Sequence, residues 1–114
     1  TEEAGKGATF DFVSKLAKRL KAYVMCGYPE IVHDDNSPEK RRLYNSMYVV
    51  DREGSLVTSY RKHHLYEADE LWAQEGESFR TLELVNTKGQ KFKAALCICM
   101  DLQPYKFLDF AKFE

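Results

Sequence analysis

Polar residues dominate positions 1–7, which include two glycines and show no periodicity, so this stretch predicts a loop. From Thr9 the pattern becomes helical. Phe10, Val13, Leu16, Ala17 and Leu20 recur at three- and four-residue spacing, with Lys15, Lys18, Arg19 and Lys21 on the other side. The spacing predicts an amphipathic helix over 10–21, with Thr9 as its N-cap and Asp11 in the first turn. The basic cluster falls near the carboxyl end, where the helix dipole favours it.

The run 22–28 is apolar and rich in β-formers, and it predicts a buried strand ending near Pro29. Residues 33–42 concentrate turn formers and charge and predict an exposed loop. Its Lys40-Arg41-Arg42 triplet lies beside Asp34, Asp35 and Glu39, which favours a solvated loop over a basic binding patch. A hairpin follows, with strands over 43–50 and 55–60 and a turn over 51–54, where Gly54 supplies a positive φ. A second hairpin pairs 79–86 with 91–98 through 87–90. Between the two, 62–76 forms a loop holding two histidines, several carboxylates and the single Trp. After Pro104, the positions of Tyr105, Phe107 and Leu108 suggest the start of another helix. This order of elements indicates an α/β sandwich with a mixed sheet.

A length of 114 residues suits one domain or a piece of one, and it can bury a core. The formal net charge of −1 gives no bulk attraction to nucleic acid or to an anionic membrane. Three cysteines, an odd number, with no signal-like start suggest free thiols in a reducing compartment, the cytosol or nucleus. No apolar stretch approaches the roughly 20 residues of a membrane helix.

The chemistry centres on Ala94-Ala95-Leu96-Cys97-Ile98-Cys99-Met100-Asp101-Leu102-Gln103-Pro104-Tyr105, an apolar run that stops at an Asp, a Gln and a Pro. Cys99 falls where the strand ends. A tight turn there can lift a thiol out of the sheet, with the N–H groups that follow it facing the group under attack. Ile98-Cys99-Met100-Asp101, followed by Pro104-Tyr105, resembles the cysteine elbow of the nitrilase, or carbon–nitrogen hydrolase, superfamily. A second block, Leu43 to Gly54 followed by Ser59-Tyr60-Arg61-Lys62-His63-His64-Leu65, resembles that superfamily's strand, turn, strand and lysine motif. Within it, Cys99 to Phe107 is most similar to the elbow of fungal-type N-terminal amidases, which remove the side-chain amide of an amino-terminal Asn or Gln.

The resemblance implies the nitrilase-like α-β-β-α sandwich, of which residues 1–114 would be a central portion. The first strand, with its base glutamate, and the part well beyond the elbow would lie outside. It also implies roles. Cys99 is the nucleophile, and Lys62 with the backbone N–H of Met100 holds the oxyanion. A substrate-positioning glutamate falls on Glu70, eight residues beyond Lys62, with Glu67 as competitor. The general base finds no match, because Glu2 and Glu3 lie too near the helix. The mechanism implied is a thioester route without metal or organic cofactor, acting on a peptide or small amide; association into homo-oligomers is open.

A thiol of unperturbed pKa about 8.5 is mostly protonated at neutral pH, so Cys99 needs a neighbour such as the Lys62 ammonium. Cys26 and Cys97 lie within predicted strands and are expected to be inert. Zinc on His63, His64, Cys97 and Cys99 is disfavoured, since adjacent residues of an extended segment point to opposite sides and no Cys-x-x-Cys pair exists. The tyrosines at 23, 28, 44, 48 and 60 fall at strand spacing and suggest sheet packing. The alternatives to an N-terminal amidase are an ω-amidase, an N-carbamoyl hydrolase, a nitrilase or a noncatalytic nitrilase-like scaffold.

Overall fold

The computed structural model describes residues 1–34 and 37–103. Along these the chain forms α1 (Ala8–Leu20), β1 (Val24–Asp34), β2 (Ser37–Val50), β3 (Leu56–Arg61), α2 (Glu67–Glu70), β4 (Arg80–Val85) and β5 (Lys91–Leu96). A single 3-10 turn, Cys99–Leu102, follows β5. The helix suggested after Pro104 lies outside the described residues.

Helix α1 begins earlier than its apolar pattern. Its N-cap is Gly7, with φ 108°, rather than Thr9. The Thr9 N–H and hydroxyl instead donate to the Glu2 carboxylate at 2.9 and 3.0 Å, so a side chain seven positions upstream does the capping. A Cβ on Gly7 would come within 2.6 Å of Glu2 Cδ, and its φ suits only glycine. At the other end Lys21 adopts a left-handed conformation and donates its N–H to Ala17 and Lys18.

Strand β1 does not stop at Pro29. It pairs antiparallel with β2 from Val24 opposite Val50 to Asp34 opposite Ser37, and β2 pairs antiparallel with β3. Most of the expected loop at 33–42 is therefore a two-stranded ribbon, whose Lys40, Arg41 and Arg42 are exposed. The proline is tolerated because β1 is an edge strand. Its carbonyl accepts the Glu2 N–H and the Ile31 N–H donates to the Glu2 carbonyl, which forms a parallel bridge between Glu2 and Glu30. The turn after β2 behaves as expected: Gly54 has φ 80° and donates to the Asp51 carbonyl. β4 and β5 form a separate two-stranded sheet.

Alternation along β2 separates two cores. Tyr48 and Val50 face α1, where they pack with Val13, Ala17 and Tyr28; the Tyr28 and Tyr48 rings stack with centroids 3.6 Å apart. Met47 and Val49 face the other way, against Tyr60, Leu96, Leu82 and Ile98. Helix, sheet and second sheet thus supply three of the four layers that the resemblance implies. The second core is the one that reaches the strand end before Cys99.

Candidate active site

β5 ends at Leu96, two residues before the expected limit, so Cys97 sits just past the strand instead of within it. Its thiol is half-buried; that burial, with the Asp101 carboxylate nearby, pushes its pKa up. Cys26 lies within β1, half-buried against the first core. Cys99, by contrast, is exposed and opens the 3-10 turn with φ 49°, in the left-handed region that side chains other than glycine rarely enter. The tight turn expected after the strand is present, and it leaves the thiol exposed. Met100 is the next residue in the turn, where the first N–H groups have no partner inside the helix by construction.

Asp101 explains how the strained turn persists. It is fully buried and its carboxylate accepts three hydrogen bonds. The Tyr60 hydroxyl donates at 2.8 Å and the Ile98 N–H at 2.9 Å to one oxygen, while the His64 N–H donates at 2.8 Å to the other. Burial, joined by the bond to Asp101, pushes the Tyr60 phenol far up, so it remains a donor. Nothing in the apolar pattern distinguished Asp101. Its place as third residue of the turn, where a carboxylate can cap the preceding N–H, was the available signal.

Lys62 follows β3 directly and is only 2% exposed. Its backbone N–H donates to the Asn45 carbonyl, continuing the ladder, so the alternation that sends Tyr60 to the second core sends Lys62 to the same side. Arg61 takes the opposite face. There its guanidinium donates two bonds to the buried Glu30 carboxylate and lies 4.2 Å from the Tyr44 ring centroid, while the Ser46 hydroxyl donates to the same carboxylate. The backbone at the lysine is thereby fixed from both faces.

The Lys62 ammonium pairs with Asp69, in α2, which also accepts the Asn45 side-chain amide at 3.0 Å and the Tyr66 N–H at 3.1 Å. Burial alone would raise the Asp69 carboxyl, but the Lys62, Tyr66 and Asn45 donors outweigh it and hold it below the usual carboxylate range. Glu70 and Glu67 stand in the same one-turn helix and both are exposed. The sequence reading passed over Asp69, one position from Glu70, because residue spacing cannot say which member of a short acidic run turns inward. Glu2 and Glu3 are engaged elsewhere, at Thr9 and at Lys6.

His63 and His64 do not diverge as an extended segment would require. The backbone bends at both residues, their ring centroids lie 4.7 Å apart, and both rings pack edge-on to Phe79. With Glu75 they bring ligand-type atoms within 4.8 Å of one another, and no cysteine joins that group. The His63 Nδ1 lies 2.6 Å from the Gly76 carbonyl. Among the described residues no helix is long and apolar enough to cross a membrane.

The chain is similar to known proteins along most of its length. The protein N-terminal amidase of Saccharomyces cerevisiae is 33% identical over 124 residues, covering 96% of this chain and 26% of that protein. The protein N-terminal amidase of Schizosaccharomyces pombe is 33% identical over 107 residues, covering 93% of this chain and 35% of that protein. A crystal structure of an N-terminal amidase with an Asn-Glu-Ala peptide superposes with a TM-score of 0.77 at 30% identity, over 91% of this chain and 26% of that one. The chain therefore spans about a quarter to a third of the length of these relatives. The carbon-nitrogen hydrolase family profile matches residues 1–103, and with the elbow at Cys99 and the buried Lys62 in place, the chain belongs to the carbon-nitrogen hydrolase family.

Proposed function

We propose that the complete protein is an amidohydrolase that removes the side-chain amide of an amino-terminal Asn or Gln. The observation that carries this reading is the exposed Cys99 on a strained turn, in a chain similar to N-terminal amidases along most of its length. In the reaction, the Cys99 thiolate attacks the amide carbon, and the developing oxyanion is held by the Lys62 ammonium and the Met100 N–H. The carbon–nitrogen bond breaks as a general-base glutamate, supplied from outside residues 1–114, returns the thiol proton to the leaving ammonia. Water, deprotonated by the same glutamate, then hydrolyses the thioester and frees Cys99, leaving a side-chain carboxylate. Glu70, exposed beside the Lys62–Asp69 pair, positions the substrate. The step consumes only water, so it calls for no metal or organic cofactor.

The test uses the complete protein and its Cys99→Ala variant with peptides beginning in Asn, Gln or Asp and one with an internal Asn, following ammonia and peptide mass. Amide loss confined to amino-terminal Asn and Gln, and abolished in Cys99→Ala, is the expected result. If these peptides stay intact while ω-amides, carbamoyl amino acids or nitriles are consumed, the specificity is wrong but the chemistry holds. Silence with all of them identifies a noncatalytic scaffold. Residues 1–114 alone, without the base, are expected to release no ammonia.

A further inference from the structure

The three donors to Asp101 bracket the two residues that the proposed reaction depends on. Tyr60 stands two positions before Lys62, His64 two positions after it, and Ile98 immediately before Cys99. One side chain thus grips the lysine segment on both flanks and the cysteine turn at its root. The division of labour is specific: Oδ1 serves the lysine loop through His64, and Oδ2 joins Tyr60 to Ile98.

We propose that Asp101 is the positioning residue that sets Lys62 and Cys99 in register, so that the thiol meets the carbon and the ammonium the oxygen of the same carbonyl group. This rests on the reading of Cys99 as nucleophile and Lys62 as oxyanion cation. A carboxylate is required because all three partners are donors and only an acceptor-only group satisfies them together. An asparagine of the same shape would turn its NH2 towards at least one N–H or O–H. Because Asp101 is fully buried, water does not repair that mismatch. Tyr60 makes the grip rigid, since it is buried in the second core with Val49 and Leu96. The strained φ of Cys99 marks the cost of the arrangement, and the Asp101 bond to Ile98 holds the turn in it.

In the complete protein, Asp101→Asn is expected to lower kcat about 100-fold, the scale of an approximately 1 Å misplacement of a reacting group, with KM changed by less than about threefold. Tyr60→Phe removes one of the three bonds and is expected to lower kcat about tenfold with the same KM pattern. Because Asp101 acts partly through Lys62 and partly on the Cys99 turn itself, Asp101→Asn and Lys62→Met should combine less than multiplicatively in kcat. A second readout does not need turnover: the rate of Cys99 alkylation by iodoacetamide, followed peptide by peptide, should fall in Asp101→Asn and in Lys62→Met, and less than multiplicatively in the double variant. Near-wild-type kcat and alkylation in Asp101→Asn, or fully multiplicative effects with Lys62→Met, would overturn the proposal. If Asp101→Asn does not fold, Tyr60→Phe decides by the same criteria. If the complete protein hydrolyses no amide yet the alkylation cycle behaves as stated, the clamp stands and the functional reading falls.

Discussion

Lys62 is buried because β3 ends one residue before it and the alternation of the strand carries it inward. A buried ammonium without a partner is costly, and Asp69 supplies the countercharge together with a link to Asn45. Removing that partner in Asp69→Ala is expected to lower unfolding free energy by about 3 kcal/mol, the scale for leaving one member of a buried pair alone. Glu70→Gln, on the exposed side of α2, should change stability by less than about 0.5 kcal/mol while impairing amide hydrolysis. Urea unfolding midpoints and kcat/KM of the two variants in the complete protein check this split. Equal loss of stability would mean that Glu70 also supports the lysine, and intact activity in Glu70→Gln would remove it from substrate positioning. The turn at Cys99 and the place of Lys62 at the end of a strand were legible in the sequence because their signals are local. Asp69 and Asp101 were not, because each acts on a residue that the chain brings near only after folding.

Among the elements, α1 depends on a residue outside it. Glu2 is pinned to the open edge of β1 by its backbone and turns its carboxylate onto the helix start at Thr9. The Thr9 N–H lowers the Glu2 pKa against the opposing effect of burial, and the Thr9 hydroxyl and Phe10 N–H add to it. Glu2→Ala is expected to cost about 1 kcal/mol at pH 7, the usual value of a helix cap with its charge–dipole component. A carboxylate whose folded pKa is depressed stabilises above its unfolded pKa, and that contribution disappears as pH falls through the folded value. The difference between wild type and Glu2→Ala should therefore shrink as pH falls below about 4.5, which denaturant titrations at pH 7 and pH 3 measure. A constant difference would show that the carboxylate charge plays no part. The helix itself was legible from its periodicity, and residues 1–7 are loop apart from Glu2, which bridges to Glu30. The cap escaped because the sequence offered Thr9, a good cap by type, and gave no sign that a sheet edge would hold Glu2 opposite it. The ribbon at 33–42 escaped for a related reason: outside a core, strand pairing is set by register with the neighbouring strand and leaves no apolar alternation to read.

At the scale of the molecule, the first sheet divides the fold into two cores that meet different layers, and β2 contributes to both through adjacent residues. Leu96, the buried residue of β5, joins the second sheet to the first in a core with Val49 and Tyr60, against which Leu82 and Ile98 also pack. Phe92, on the same strand, is 49% exposed. Leu96→Ala opens a cavity in the second core and is expected to cost about 2–4 kcal/mol, whereas Phe92→Ala should cost less than about 1 kcal/mol. The damage should also be directional. Leu96 precedes the elbow by three residues and touches the ring whose hydroxyl holds Asp101, so loosening it frees the second sheet and the Cys99 turn before it reaches α1 on the far face. Native-state hydrogen exchange of Leu96→Ala should then show faster exchange in β4, β5 and residues 97–103, with α1 amides changed only by the shift in global stability. If α1 accelerates as much as the elbow, the two cores open as one unit, and the elbow has no local stability of its own for the second sheet to control.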